Sequence, residues 1–115
     1  MFLTMVRIYP SADEADAIRG FLVGLLGPTR VQPGCLGCTL ATESEPDALV
    51  YTEIWASKVE LLHRLRSEKY SKVLAAMELS TREPDLCVYE VIDRHGMELI
   101  ENARKASKKG GGYSR

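Results

Sequence analysis

Glu53-Ile54-Trp55 closes a β-rich run, and His63, Arg64 and Tyr70 follow within the next fifteen residues. A carboxylate, an indole, an imidazole, a guanidinium and a phenol in one short span suit the wall of a pocket for an aromatic ligand. Trp55, the only tryptophan of the chain, would stack on the ring or hydrogen-bond to it. His63 could take a phenolic proton, since an ordinary imidazole titrates at about 6.5. Side chains two apart on a strand share a face, which sets Tyr51 beside Glu53 and Trp55. Tyr51 and Tyr70 could then hydrogen-bond a quinone or phenol oxygen. Arg7, in the first apolar run, would face Glu53 or Glu90, and such a cluster can shift a carboxylate toward a general base. The catalytic candidates are therefore Trp55, His63 and Glu53. The substrate-binding candidates are Tyr51, Arg64, Tyr70 and Arg7. Each has a plainer reading beside it: a core tryptophan, a structural ion pair, an exposed helix histidine, tyrosines that fill a half-buried face.

The sequence Cys35-Leu36-Gly37-Cys38 is a C-x-x-C in form only. Redox pairs open a helix whose field lowers the thiol pKa, whereas here a turn precedes and a strand follows. On a regular strand, residues three apart face opposite sides about 10 Å from each other, too far for a disulfide. One further cysteine and two histidines offer no four-ligand zinc spacing, so no metal site is expected.

The elements that must position these groups read clearly. Residues 2–9 form an apolar strand ended by Pro10. Ser11 with Glu14 has the capping-box pattern, and Ile18, Phe21, Leu22, Leu25 and Leu26 make a helical stripe that Gly27-Pro28 should end. Residues 35–42 and 48–55 are two strands joined by a polar hairpin loop. Ser57 caps the next helix, whose stripe of Val59, Leu62, Leu65, Val73, Leu74 and Met77 is interrupted near Ser67. Leu86 to Ile92 is the fourth strand, and Met97, Ile100 and Ala103 mark a short C-terminal helix. The basic, Gly-rich end of the chain has nothing to bury. The expected organisation is a domain over 1–93, a helical extension over 94–105 and a disordered tail over 106–115.

This order, β-α-β-β-α-β, is the α+β ferredoxin-like arrangement: a four-stranded antiparallel sheet with helices on one face. Strands one and four carry apolar side chains on both faces, so the uncovered sheet face calls for a second copy of the chain. Composition agrees with one soluble domain: 115 residues, 45% apolar, 27% charged and a net charge of −1. That charge argues against nucleic acid, no apolar run is long enough to span a membrane, and the start of the chain carries no export pattern. Three unpaired cysteines then suit a reducing cytoplasm.

With Pro33-Gly34-Cys35 before strand two, Glu53-Ile54-Trp55 at the end of strand three, and His63-Arg64-Leu65-Arg66-Ser67 ahead of Tyr70, the chain resembles the antibiotic-biosynthesis-monooxygenase superfamily, the dimeric α+β barrel proteins. Members commonly place a histidine about nine residues after the tryptophan. Here the ninth residue is Arg64 and the eighth is His63, so the loop is one residue short or the histidine is turned by about 100° around the helix. Haem-degrading members carry an asparagine in strand one where this chain has Val6, which sets that branch aside. The resemblance implies a homodimer and a small aromatic ligand. It also implies a cofactor-independent monooxygenase acting on a polycyclic phenol or quinol, with no flavin or metal. The alternative is a non-catalytic dimeric ligand-binding or structural module on the same scaffold.

Overall fold

The computed structural model describes residues 1–110, with side chains to residue 106. β1 (Phe2–Ile8), β2 (Cys35–Glu43), β3 (Ala48–Trp55) and β4 (Asp85–Glu90) form one antiparallel sheet in the order β2-β3-β1-β4. α1 (Ala15–Arg30) links β1 to β2. α2 (Lys58–Arg66), a 3₁₀ turn (Glu68–Tyr70) and α3 (Ser71–Glu78) link β3 to β4. The fold is the expected ferredoxin-like one; α4 (Met97–Gly110) runs past the expected helix end at 105 into the expected tail, whose residues 111–115 lie outside the described residues.

β1 alternates as its pleat requires. Thr4, Val6 and Ile8 are buried under the helices, while Leu3, Met5 and Arg7 are half-buried on the other face. Val6, Ile8, Ile18, Leu22, Leu49, Tyr51 and Val73 make the core. Each aliphatic side chain sealed there contributes about 1.5–3 kcal/mol. β4 is exposed along its whole length, including Leu86 and Val88, which pair with Val6 and Thr4 but lie beyond the cover of the helices. Ile92 is exposed past the end of β4, and Met97, Leu99 and Ile100 are exposed on α4.

Several local expectations change. Ser11 does not cap α1: it begins a turn that ends at Glu14, and Glu14 is itself the N-cap, with no side-chain bond. Nor does Gly27-Pro28 end α1, which runs on to Arg30. A proline so near the C-terminus removes one hydrogen bond of a turn that has few left to lose, and Arg30 Nε ties that turn to the Cys38 carbonyl at 2.9 Å. Ser57 does cap α2, accepting from the Glu60 amide, and the break at Ser67 falls where expected. The buried face of α2, however, carries Leu61 and Arg64; Val59 and Leu65 are exposed, as is Leu74 on α3. The helix is turned by about one residue from the apolar stripe. The cause is Arg64, which is held against the sheet by Glu53.

Candidate functional site

Glu53 is fully buried two residues before the end of β3, and its carboxylate gathers donors from three directions. Tyr51 Oη donates to Oε2 at 2.6 Å and Trp55 Nε1 to Oε1 at 2.9 Å, the strand neighbours closing in from either side. From α2, Arg64 Nη2 donates to Oε2 at 2.7 Å and Nε to Oε1 at 3.1 Å. Arg64 is 5% exposed, so both charges of this pair are out of water. A buried ion pair persists only when its remaining polar atoms are satisfied. Arg64 Nη2 also donates to Thr29 Oγ1, a buried hydroxyl on the last turn of α1. The guanidinium lies between two aromatic rings, 5.9 Å from the Trp55 centroid and 5.4 Å from that of Tyr70.

These contacts set the charge states. Burial works against the Arg64 cation, but the bonds and charge of Glu53 outweigh it and hold its pKa above the ordinary range. Burial, then the bonds to Cys38 and Glu53, keep the Tyr51 phenol protonated far above its usual titration. Tyr70 is pushed up to about 12, by burial first and by the Glu53 charge second. The Cys38 thiol, 3.3 Å from Tyr51 Oη, is raised by burial, as is that of Cys35.

Beside this cluster opens a pocket of about 500 Å³ between the Pro33 turn and α2, lined by Trp55, Glu60, His63 and Arg64 among others. That volume suits a small organic ligand. Trp55, 2% exposed and packed as part of the buried core, and Arg64 close its inner end, and the exposed His63 stands at its rim. Glu53, Tyr51 and Tyr70 sit behind the wall and not in it. Of the seven expected site residues, six are thus gathered around one cavity.

Arg7 is the exception. Glu53 pairs with Thr4, so Arg7 lies on the opposite sheet face, where it makes a two-pronged bond to Glu43 at 2.8 and 3.0 Å and approaches Asp85 at 4.0 Å. The register leaves it no route to Glu53 or Glu90. The cysteines also differ from expectation. A bulge at Leu36 pairs Cys35 with Trp55 and Cys38 with Glu53, so both thiols share the helix-covered face. Both are free.

Two site residues were not anticipated. Thr29 lay past the proline read as a helix stop, although its spacing from Ile18, Leu22 and Leu25 continues the buried stripe. Glu60 supplies the amide that Ser57 caps. Its carboxylate packs over Gly34, whose φ of 84° and missing Cβ leave room for it.

A family model described as antibiotic biosynthesis monooxygenase matches residues 1–76. The chain belongs to that family. Among solved structures, Rv0793 of Mycobacterium tuberculosis is similar at 26% identity and a TM-score of 0.73, over 83% of this chain and 98% of that one. A Deinococcus radiodurans protein assigned to the antibiotic biosynthesis monooxygenases follows at 21% identity and a TM-score of 0.74, over 84% and 97%. PA3566 of Pseudomonas aeruginosa has 17% identity and a TM-score of 0.66, over 80% and 94%. No curated protein sequence matches the chain. Counted from Trp55, the eighth residue is the exposed His63 and the ninth is the buried Arg64. Among the described residues no helix is long and apolar enough to cross a membrane.

Proposed function

We propose that this chain is a cofactor-independent monooxygenase acting on a polycyclic phenol or quinol. The observation that carries the reading is the pocket itself: an apolar wall containing Trp55, with a fixed guanidinium at its inner end. In the reaction that the family likeness implies, an ionised substrate passes electrons to O₂. One oxygen atom enters the ring carbon as a carbonyl and the other leaves as water, the substrate supplying all four electrons. The work of the protein is then to bind the ring, exclude water and hold the oxyanion with preorganised donors. Arg64 supplies the donor, and the buried Trp55 backs the wall against which the ring rests. Glu53, Tyr51, Thr29 and Tyr70 keep that donor in place.

The open sheet face, with half-buried Leu3 and Met5 and exposed Tyr89, supports a homodimer built through it. One observation favours a second reading, a non-catalytic ligand-binding module: the cation at the inner end of the pocket is an arginine locked to Glu53, a poor base, while His63 stands exposed at the rim. Oxygen uptake by the purified protein over a panel of polycyclic quinols separates the two. The monooxygenase predicts uptake above the background rate of the quinol, reduced in Trp55→Phe. Uptake equal to background, with ligand still bound, leaves the binding module.

A further inference from the structure

Glu53 and Arg64 form a neutral pair, but only one end of it meets the pocket. Glu53 has no exposed surface and is absent from the lining, whereas Arg64 lines it. A ligand therefore sees the cationic end of a buried dipole whose anionic end is turned into the sheet. The bonds of Arg64 use Nε and Nη2. Among the described residues Nη1 donates to no acceptor, on a side chain that is 95% buried by its 5% exposure. A guanidinium nitrogen held rigid and left without a protein partner beside a cavity is a binding position for an oxygen with negative charge.

A second unpartnered atom stands on the same helix face. Glu60 is four residues before Arg64, the spacing at which acid and base usually pair. Glu53 has claimed Arg64, and Glu60 Oε2 is buried with no donor among the described residues. Its carboxylate is short of donors, and Glu60 lines the same cavity.

We infer that the ligand is an aromatic monoanion that keeps one hydroxyl: a flat ring against Trp55, an ionised oxygen on Arg64 Nη1, and a hydroxyl directed to Glu60. This deepens the proposed function and rests on it. The pocket selects a substrate already ionised and does not itself remove the proton. Binding then rises with pH as the ligand ionises, at a midpoint set by the ligand. The groups that face Arg64 are Glu53 and Tyr51 from β3, Tyr70 from the 3₁₀ turn, and Cys35 and Cys38 from β2. Both tyrosines and both thiols are raised above their ordinary ranges, so they hold their protons through neutral pH. Glu60, His63, Glu68 and Lys69 are the other charged or titratable groups of the lining.

The test titrates the full chain anaerobically with three substituted dihydroxynaphthalenes, chosen so that their first ionisations fall below, near and above neutral pH. Trp55 emission gives Kd. Affinity should rise about ten- to a hundredfold for each ligand across its own ionisation, in wild type and in His63→Gln alike. Dimethyl ethers should bind with no such rise, and Glu60→Gln should narrow the gap between the diols and their monomethyl ethers. Glu53→Met/Arg64→Met, which removes both charges together, should abolish the rise. Should that variant fail to fold, the wild-type series still decides. One midpoint shared by all three ligands, or equal binding of neutral and ionised forms, overturns the inference while leaving an aromatic site. No saturable binding by any of them overturns the proposed function itself.

Discussion

Arg64→Met removes the cation but leaves a fully buried carboxylate facing an apolar side chain. Glu53 would keep only the Tyr51 and Trp55 donors, losing the two short bonds at 2.7 and 3.1 Å and the charge that balances it. Thr29 Oγ1 loses its donor as well. Breaking a buried pair on one side costs about 3–5 kcal/mol, a large share of the 5–15 kcal/mol that typically holds a domain together. Removing both charges in Glu53→Met/Arg64→Met leaves no lone ion, although the Tyr51 and Trp55 donors lose their acceptor, so the double variant should cost clearly less than the sum of the single ones. Urea denaturation followed by circular dichroism, run as a double-mutant cycle, should give a coupling energy of at least about 2 kcal/mol. Circular dichroism avoids reliance on Trp55, whose own bond to Glu53 changes in these variants. Additive single costs, or a loss below about 1 kcal/mol in Arg64→Met, would show that the pair is solvated in solution and that the guanidinium is not fixed.

The phenol of Tyr70 shifts from an ordinary 10 to about 12 in the fold. The native state therefore keeps a proton that the unfolded chain releases, and this contribution is whole below pH 10 and lost as pH climbs through 12. At most about 2–3 kcal/mol should disappear across that window; urea melts should show it, with a shallower slope in Tyr70→Phe, and unchanged slopes would refute the burial argument. The raised thiols of Cys35 and Cys38 should alkylate at least about tenfold more slowly at mildly alkaline pH than in urea, whereas equal rates would mean that β2 opens freely. Light scattering at micromolar concentration should give twice the mass of one chain, and Met5→Glu on the open sheet face should shift it toward monomer. A wild-type monomer would require another cover for that face.

The strand order and the break at Ser67 were legible because they depend on short-range signals, namely apolar runs, turn residues and a serine cap. The strand register, which decides what faces what, was not. Pairing Thr4 with Glu53 sends Arg7 to the other side of the sheet, and one extra residue at Leu36 brings Cys35 and Cys38 to the same side. The Glu53–Arg64 bond spans eleven residues and two elements, and it turns α2 against its own apolar stripe. A charge buried by a tertiary partner looks like a surface charge in the sequence. Thr29 was hidden for a different reason, since Pro28 was read as a stop when the helix runs two residues further. Trp55, His63 and Arg64 were legible as pocket residues because their types and spacing mark a strand end facing a helix.

The central claim is that Trp55 and Arg64 wall a site for an aromatic ring. Anaerobic titration of the emission of the single tryptophan with a polycyclic quinol tests it most directly, with oxidation of the ligand removed from the experiment. Saturable quenching at one site per chain is expected, lost when an aliphatic diol replaces the quinol. Quenching that rises linearly without saturation, or none at all, would mean that no ring lodges beside Trp55 and would contradict the claim.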